Sequence, residues 1–532
     1  MAEDDVTHDQ SPPPRCCPCG HEGDSSAAEL DRRTFLGVGG AALGGAALGG
    51  AVLGGLSWST LAAAGPGVRE PPGRRALVVK PIFSYPVPQR QAQTSWRNWG
   101  GMQTREDVDA EIARIRGELG QLKVSADFPL EFLPLAVIRR PDDLGPHKDD
   151  LAKADALLFY AGGDGGGDLM ANVNHVDRLG KNLIFFVRHQ SGPLYYWYEG
   201  AMARFLHQHT DALAARSVDY QDVVVDRMDE VLWRLRALCG LANTVGSRIV
   251  AVGGPGGWHC PAAPKLAQDR WKLDLRTVSY DDVGGLLRDA MADGAALDRA
   301  RRRAEQYLKI PGTTLETGRP FVDNAFLLEE VFRALMGKAE CRAMTIRGCM
   351  RTIMPLSQTT ACLPLSTLND AGWLAFCESD FVVIPAGLLL ANISGRPAFL
   401  QNPTFPHEGG ITLAHCTAPR KMDGRRFEPA RIMTHYESDY GAAPKVEMRK
   451  GQELTMIAPD FKAERWLGLS GKIVDHPLMP ICRSQIEVAL AADGPTVAGR
   501  MPGFHWMLVY GNYLREVGYA LKKVPIRWDC LG

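Results

Sequence analysis

The chain has 532 residues, too many for a single hydrophobic core, and its composition of 45% hydrophobic and 23% charged residues is that of an ordinary globular protein. Sixty basic residues against 61 acidic ones leave a formal charge of -1, which excludes the electrostatic footprint of a nucleic-acid-binding or anionic-membrane protein. Of twelve cysteines, three (Cys16, Cys17, Cys19) precede the first apolar segment and nine are scattered without CxxC spacing, a pattern that argues against a full disulfide framework and for small buried side chains.

In chain order, residues 1–30 are polar and Pro-containing and are expected to be a disordered tail. Cys16-Cys17-Pro18-Cys19-Gly20-His21 lacks the distant second half of a zinc site and is read as incidental. Asp31-Arg32-Arg33-Thr34-Phe35-Leu36-Gly37 then opens an uncharged, Gly/Ala/Leu/Val-rich run that reaches Val68 and contains Ala62-Ala63-Ala64. Paired arginines, a weakly apolar stretch and a small-residue cleavage site fit a twin-arginine export signal over 31–64. The expected partner is the twin-arginine export machinery, and the expected location is periplasmic or otherwise extracytoplasmic. The alternative is a membrane anchor formed by residues 34–64.

Residues 65–75 read as a linker. An N-terminal α/β domain is expected over 76–243. Its strands are Ala76-Leu77-Val78-Val79, Phe132 to Ile138, Ala156 to Tyr160 and Leu183 to Val187, with an amphipathic helix over Glu106 to Leu122 and a long helix over Tyr220 to Ala242. A middle α/β domain over 244–398 starts with the strand Arg248 to Val252 and a Gly-rich turn. It continues through helices at 281–308 and Asn324 to Met336 and the strand Met344-Thr345-Ile346. From 399 to 532 the texture turns to short strands and prolines: Lys445 to Met456, Lys472 to Val474, Ile486 to Ala489 and Trp506 to Tyr510. The predicted class is therefore α/β, two Rossmann-like parallel-sheet domains followed by a β-rich C-terminal domain.

Two Gly-rich segments, Ala161 to Asp168 and Gly253 to Gly257, follow strands as phosphate-cradling loops do. Neither has the fingerprint spacing or a following GK[ST], so no nucleotide is expected. Tyr195-Tyr196-Trp197-Tyr198 suits either stacking on a pyranose face or packing at an interface. The chemistry-bearing segments lie in the last third. Glu378 follows the apolar run Trp373 to Phe376, and so sits at a strand's carboxyl end, where open α/β sheets place ligands. A carboxylate and two imidazoles drawn from separate segments can make an N/O site for a divalent cation such as Mn²⁺.

Cys362 to Gly372 leading to Cys377-Glu378-Ser379-Asp380, then Gly395 to Pro403 leading to His415-Cys416, and finally Pro502-Gly503-Phe504-His505-Trp506 resemble the carboxyl-terminal halves of L-fucose and L-arabinose isomerases. The likeness runs from about residue 340 to 525 and is only topological over 76–240. It implies a metal-dependent aldose–ketose isomerase with Mn²⁺ or another divalent cation, a small sugar substrate and a homo-oligomer. Glu378, in an E-G-D-like element, is implied to be a metal ligand with acid/base duty, and His505 the second ligand. Asp380 is implied to be catalytic or a ligand-orienting group, and His415 and Asn402 to line the sugar site. The chain departs from that pattern in three places. Thr345-Ile346-Arg347-Gly348-Cys349-Met350-Arg351 has no acid, Gln401-Asn402 stands where a carboxylate is frequent, and Trp506 where a second histidine is common. Glu316, Asp323, Glu340 and Glu408 are the possible substitutes. Because a hard-cation site loses strength and a proton carrier with each missing carboxylate, an exported sugar-binding protein or an isomerase homologue without turnover is the alternative reading.

Overall fold

The computed structural model describes residues 51–52, 57–63, 70–162, 167–195 and 218–532. The tail with Cys16, Cys17 and Cys19, the Arg32-Arg33 pair, most of the expected export signal, Gly163 to Gly166 and Tyr196 to Tyr198 lie outside the described residues. Two parallel sheets, a closed barrel and a three-stranded sheet make up the architecture.

The first sheet has the order 130–132, 77–84, 156–161, 182–187, 223–225, all parallel, with 136–138 also on the edge of 77–84. Its central strands, Ala156–Ala161 and Asn182–Val187, are apolar on both faces because helices cover both sides. The segment expected as one strand over Phe132 to Ile138 is two short strands, Leu130–Phe132 and Ala136–Ile138, since Pro134 interrupts the ladder. The long helix expected from Tyr220 is shorter: Val223–Val225, three β-branched residues, pair with Phe185 to Val187 as a strand, and the helix runs over Met228–Thr244. Tyr195 is fully buried and donates to Glu111 Oε1 at 2.6 Å, beside the buried Arg188–Glu111 pair, so it packs in the core rather than facing a sugar.

The second sheet has the order 51–52, 274–278, 248–252, 343–346, 374–376, again all parallel. The short helix Trp58–Ala63 lies on the helices of this unit, with Trp58 buried and its indole N–H donating to Asp293 at 3.1 Å. The helices Met228–Thr244 and Ile384–Ser394 cross closely at Gly240. A Cβ there would stand 2.2 Å from Ile393 Cγ1.

Six antiparallel strands then close a barrel in the order 453–459, 506–510, 399–403, 410–415, 484–490, 465–475, and back to 453–459. Closure removes the free edges that an open sheet would leave. The single strand expected from Lys445 to Met456 is two, Tyr440–Val446 and Glu453–Pro459. The first joins Ala430–His435 and Thr313–Glu316 in the small sheet, so a strand from the middle region completes the C-terminal one. No helix of the described residues is long and apolar enough to cross a membrane.

Candidate metal centre

Three loops at the carboxyl ends of parallel strands build one wall. After Arg248–Val252 the chain turns through Gly253 and Gly254 at φ 75° and 90°, a backbone region open to glycine at little cost. Gly256 N–H donates to Ser379 O at 3.1 Å, Phe381 N–H donates to Gly256 O at 2.9 Å, and Ser379 Oγ donates to Gly254 O at 2.9 Å. The Gly-rich turn is thus a brace for the Glu378 loop, not a phosphate cradle. After Ala343–Ile346 comes Gly348 at φ 64°, followed by the π-helical turn Cys349–Ile353. After Leu374–Phe376, Glu378 and Ser379 hold φ of 63° and 52°. Two consecutive non-glycine residues in the left-handed region cost about 1–2 kcal/mol each, and the three bonds to the Gly-rich turn are what hold them there.

The barrel supplies the opposite wall. His415 is the last residue of Gly410–His415, and His505 immediately precedes Trp506–Tyr510. The two elements bring four predicted residues together. His415 Nε2 lies 3.4 Å from Glu378 Oε1, and His505 Nε2 lies 3.1 Å from Glu378 Oε2. His505 Nδ1 lies 2.6 Å from Asp380 Oδ2, while Asp380 Oδ1 accepts from Val382 N–H at 3.0 Å. Asp380 therefore fixes the ring and leaves Nε2 facing Glu378, the arrangement that orients metal-ligating histidines. His415 Nδ1 is near the Thr417 hydroxyl at 3.3 Å, so its Nε2 also turns to Glu378.

Both imidazoles and Asp380 are buried, and Glu378 exposes about 21% of its side chain. Burial favours the neutral form of each group, but the mutual charges outweigh it. Glu378 holds His415 up at about 10 and His505 at about 9, the latter helped by Asp380, while the two imidazoles hold the Glu378 carboxyl well below the usual range. Although the distances are short, His415 Nε2, His505 Nε2 and Glu378 Oε2 are all buried without a bond of hydrogen-bond geometry. An orphaned buried polar atom costs about 1–3 kcal/mol. Three of them facing one another make a donor set, two imidazole nitrogens and a carboxylate, that a divalent cation fits. Cys377 adds a thiol whose sulfur lies within 4.8 Å of the Glu378 and His415 donors.

Glu378 opens onto a cavity of about 270 Å³ lined also by Gly256, Trp258, Arg347, Met350 and Arg351. Trp258 meets His505 edge-on at 5.7 Å and Phe504 at 5.6 Å, so aromatic rings cover the imidazole. Asn402 lies on the neighbouring barrel strand opposite Ala414, its side-chain oxygen buried and unpartnered, and Gln401 beside it is fully buried with both amide atoms unpartnered. Of the substitute acids, Glu316 pairs with Arg431 and Asp323 with Arg319, while Glu340 and Glu408 are exposed; none of the four lines the cavity.

Trp258, Arg347, Arg351 and Cys377 are site residues that sequence reading did not single out. Their one signal is position, each within a few residues of a strand's carboxyl end. Neither a family model nor a curated protein sequence matches the chain.

Proposed function

We propose that the chain is a divalent-cation-dependent aldose–ketose isomerase of the L-fucose/L-arabinose type, acting in carbohydrate metabolism on a small deoxy- or pentose-type sugar through a cis-enediol. The observation that carries the reading is the approach of His415 Nε2 and His505 Nε2 to the Glu378 carboxylate at 3.4 Å and 3.1 Å, with Glu378 lining a cavity. Mn²⁺ or another divalent cation held there by Glu378, His415 and His505 would supply Lewis-acid stabilisation of negative charge developing on substrate oxygens. Asp380 is a positioning residue that keeps His505 in one tautomer. Trp258 presents an aromatic edge or face to a sugar ring, and Arg347 and Arg351 offer donors to its hydroxyls at the rim. Glu378 is the one carboxylate among the lining residues, and a carboxyl held so far below neutrality is a good ligand and a weak base. The proposal includes export by the twin-arginine route to the periplasm, a homo-oligomer, and no nucleic-acid partner.

One observation favours a second reading, a sugar-binding protein or homologue without turnover: two arginines stand after Ala343–Ile346, where the isomerase pattern calls for an acid. The test is to screen the folded, Mn²⁺-loaded protein against a panel of aldoses and follow ketose formation. Ketose formation that EDTA abolishes supports the isomerase. Sugar binding that ignores the chelator, with no ketose from any aldose, supports the second reading and retires the first.

A further inference from the structure

Behind the candidate metal centre lies a second group of soft donors. Cys362 opens the helix Cys362–Asp370, Cys416 follows the strand Gly410–His415, and His435 ends the strand Ala430–His435. Their donor atoms all lie within 4.8 Å of one another, and the three residues are only 2%, 5% and 3% exposed. The thiols of Cys362, Cys377 and Cys482 all approach that of Cys416, and Cys482 leads into Ser484–Leu490. The Ser438 hydroxyl lies 3.4 Å from His435 Nδ1, which leaves Nε2 as the ring's remaining donor.

Ordinary packing is a poor account of this group. Cys362 and Cys416 form, with Ala443, a small cluster apart from both large hydrophobic cores. A buried imidazole set among thiols gains little from them, because S–H is a weak donor and sulfur a weak acceptor. No disulfide forms among the described residues. Three thiols and one imidazole drawn from four segments, with Cys362, Cys416 and His435 buried and Cys482 half-buried beside Cys416, match the donor set of a structural tetrahedral zinc site.

We propose that Cys362, Cys416, Cys482 and His435 bind a zinc ion that ties the helix Cys362–Asp370 to the barrel and the small sheet. As each S–Zn bond forms, the thiol releases its proton to solvent, and no oxidant or reductant is involved. The site does not depend on the isomerase reading. It does touch the first centre: His415 and Cys416 are adjacent, so one strand end presents an imidazole to one cation and a thiolate to the other.

The test uses the full chain, prepared under reducing conditions with Zn²⁺ and dialysed. Elemental analysis is expected to find about one zinc per chain in Glu378→Gln/His505→Gln, where the first centre is disabled, and none once Cys416→Ser is added to that variant. Substituting Co²⁺ in the unmutated protein avoids any folding defect of the cysteine variant. It is expected to give a thiolate-to-metal charge-transfer band in the near ultraviolet. Retention of zinc when Cys416→Ser is added to the Glu378/His505 variant, absence of zinc from that variant without the added change, absence of the charge-transfer band, or a Cys362–Cys416 disulfide in the peptide map would each overturn the proposal.

Discussion

Replacing Glu378 by Gln removes one negative charge and leaves the size of the side chain unchanged. Its carboxylate oxygens stand 3.4 Å and 3.1 Å from the two imidazole nitrogens. At an effective dielectric of about 20, one pair of unit charges at that separation is worth about 5 kcal/mol, or about 4 pH units of imidazole affinity for a proton. Taking that much from about 10 and about 9 puts both rings below neutrality, His505 falling less because Asp380 stays at 2.6 Å. The groups facing the two rings include Cys377, Cys416, Cys482, Thr417 and His435 around His415, and Trp258 and Phe504 around His505.

The metal-free wild-type protein at pH 7.5 then carries both imidazoles charged, and a cation binds only as they give up their protons. Calorimetric titration with Mn²⁺ in buffers of contrasting ionisation enthalpy should count about two protons released, and affinity should rise about 100-fold per pH unit between pH 7 and 8.5. In Glu378→Gln the count should fall to about one or less and the slope should flatten, while affinity drops through loss of the anionic ligand. Release of no protons by the wild type, or the same count in both proteins, would refute the reasoning.

Four further outcomes follow from single contacts. Asp380→Asn should weaken cation binding about 10- to 100-fold, because it removes the carboxylate that orients and holds the charge of His505; titration calorimetry beside a melting curve separates this from any change in stability. Gly240→Ala should destabilise by about 1–3 kcal/mol, read from the urea midpoint, since the added Cβ meets Ile393 at 2.2 Å where two helices cross. Trp258→Ala should weaken sugar binding and leave the cation stoichiometry unchanged, as measured by titration with and without sugar. Asp370 is pushed up to about 7 by burial, against the backbone N–H groups of Arg420 and Lys421 that donate to it at 2.7 Å each. A carboxyl raised in the folded state contributes stability that is full below about pH 4 and is lost as pH rises through 7, at most on the order of 4 kcal/mol. Urea midpoints should therefore fall more steeply between pH 5 and 6.5 in the wild type than in Asp370→Asn; parallel curves would contradict this.

The parallel sheets were legible because buried strands write themselves as continuous apolar runs, such as Ala156–Ala161 and Arg248–Val252, and the helices between them as 3.6-residue periodicity. Val223–Val225 was misread as helix because three residues carry no period, and only pairing with Phe185 to Val187 decides the matter. Closure of the barrel was invisible for the same reason: it depends on Glu453–Pro459 meeting Arg465–Asp475, a register no local pattern encodes. At the site, Glu378 and His505 could be named from the segments that hold them, but their approach is a property of the barrel mouth resting on a sheet edge. The cysteines were least legible. Cys362, Cys416, His435 and Cys482 are tens of residues apart, so the spacing rules for metal ligands, which assume two donors on one turn, have nothing to act on.

On the proposed reading, arginines standing where the isomerase pattern has an acid would have a physical consequence for what the cavity accepts. With Asp380 committed to His505, Glu378 is the one carboxylate among the described residues lining the cavity, which Arg347 and Arg351 also line. A divalent cation held by Glu378 and two neutral imidazoles leaves a net charge of about +1 before the arginines are counted, and a further carboxylate ligand would have brought it to zero. With such a cation bound, the field inside the cavity would be positive and would raise the affinity for a substrate that carries or develops negative charge near the cation. A neutral aldose gains from that field only at the enediolate stage, whereas a sugar acid gains already in the ground state. On the proposed reading, such an arrangement would favour binding of acidic sugars over their turnover, and the substrate panel should contain aldonic and uronic acids beside the neutral aldoses. Competition by a sugar acid stronger than by the aldose of the same stereochemistry is expected, and a preference for the neutral sugar would mean that the arginines do not face the occupant.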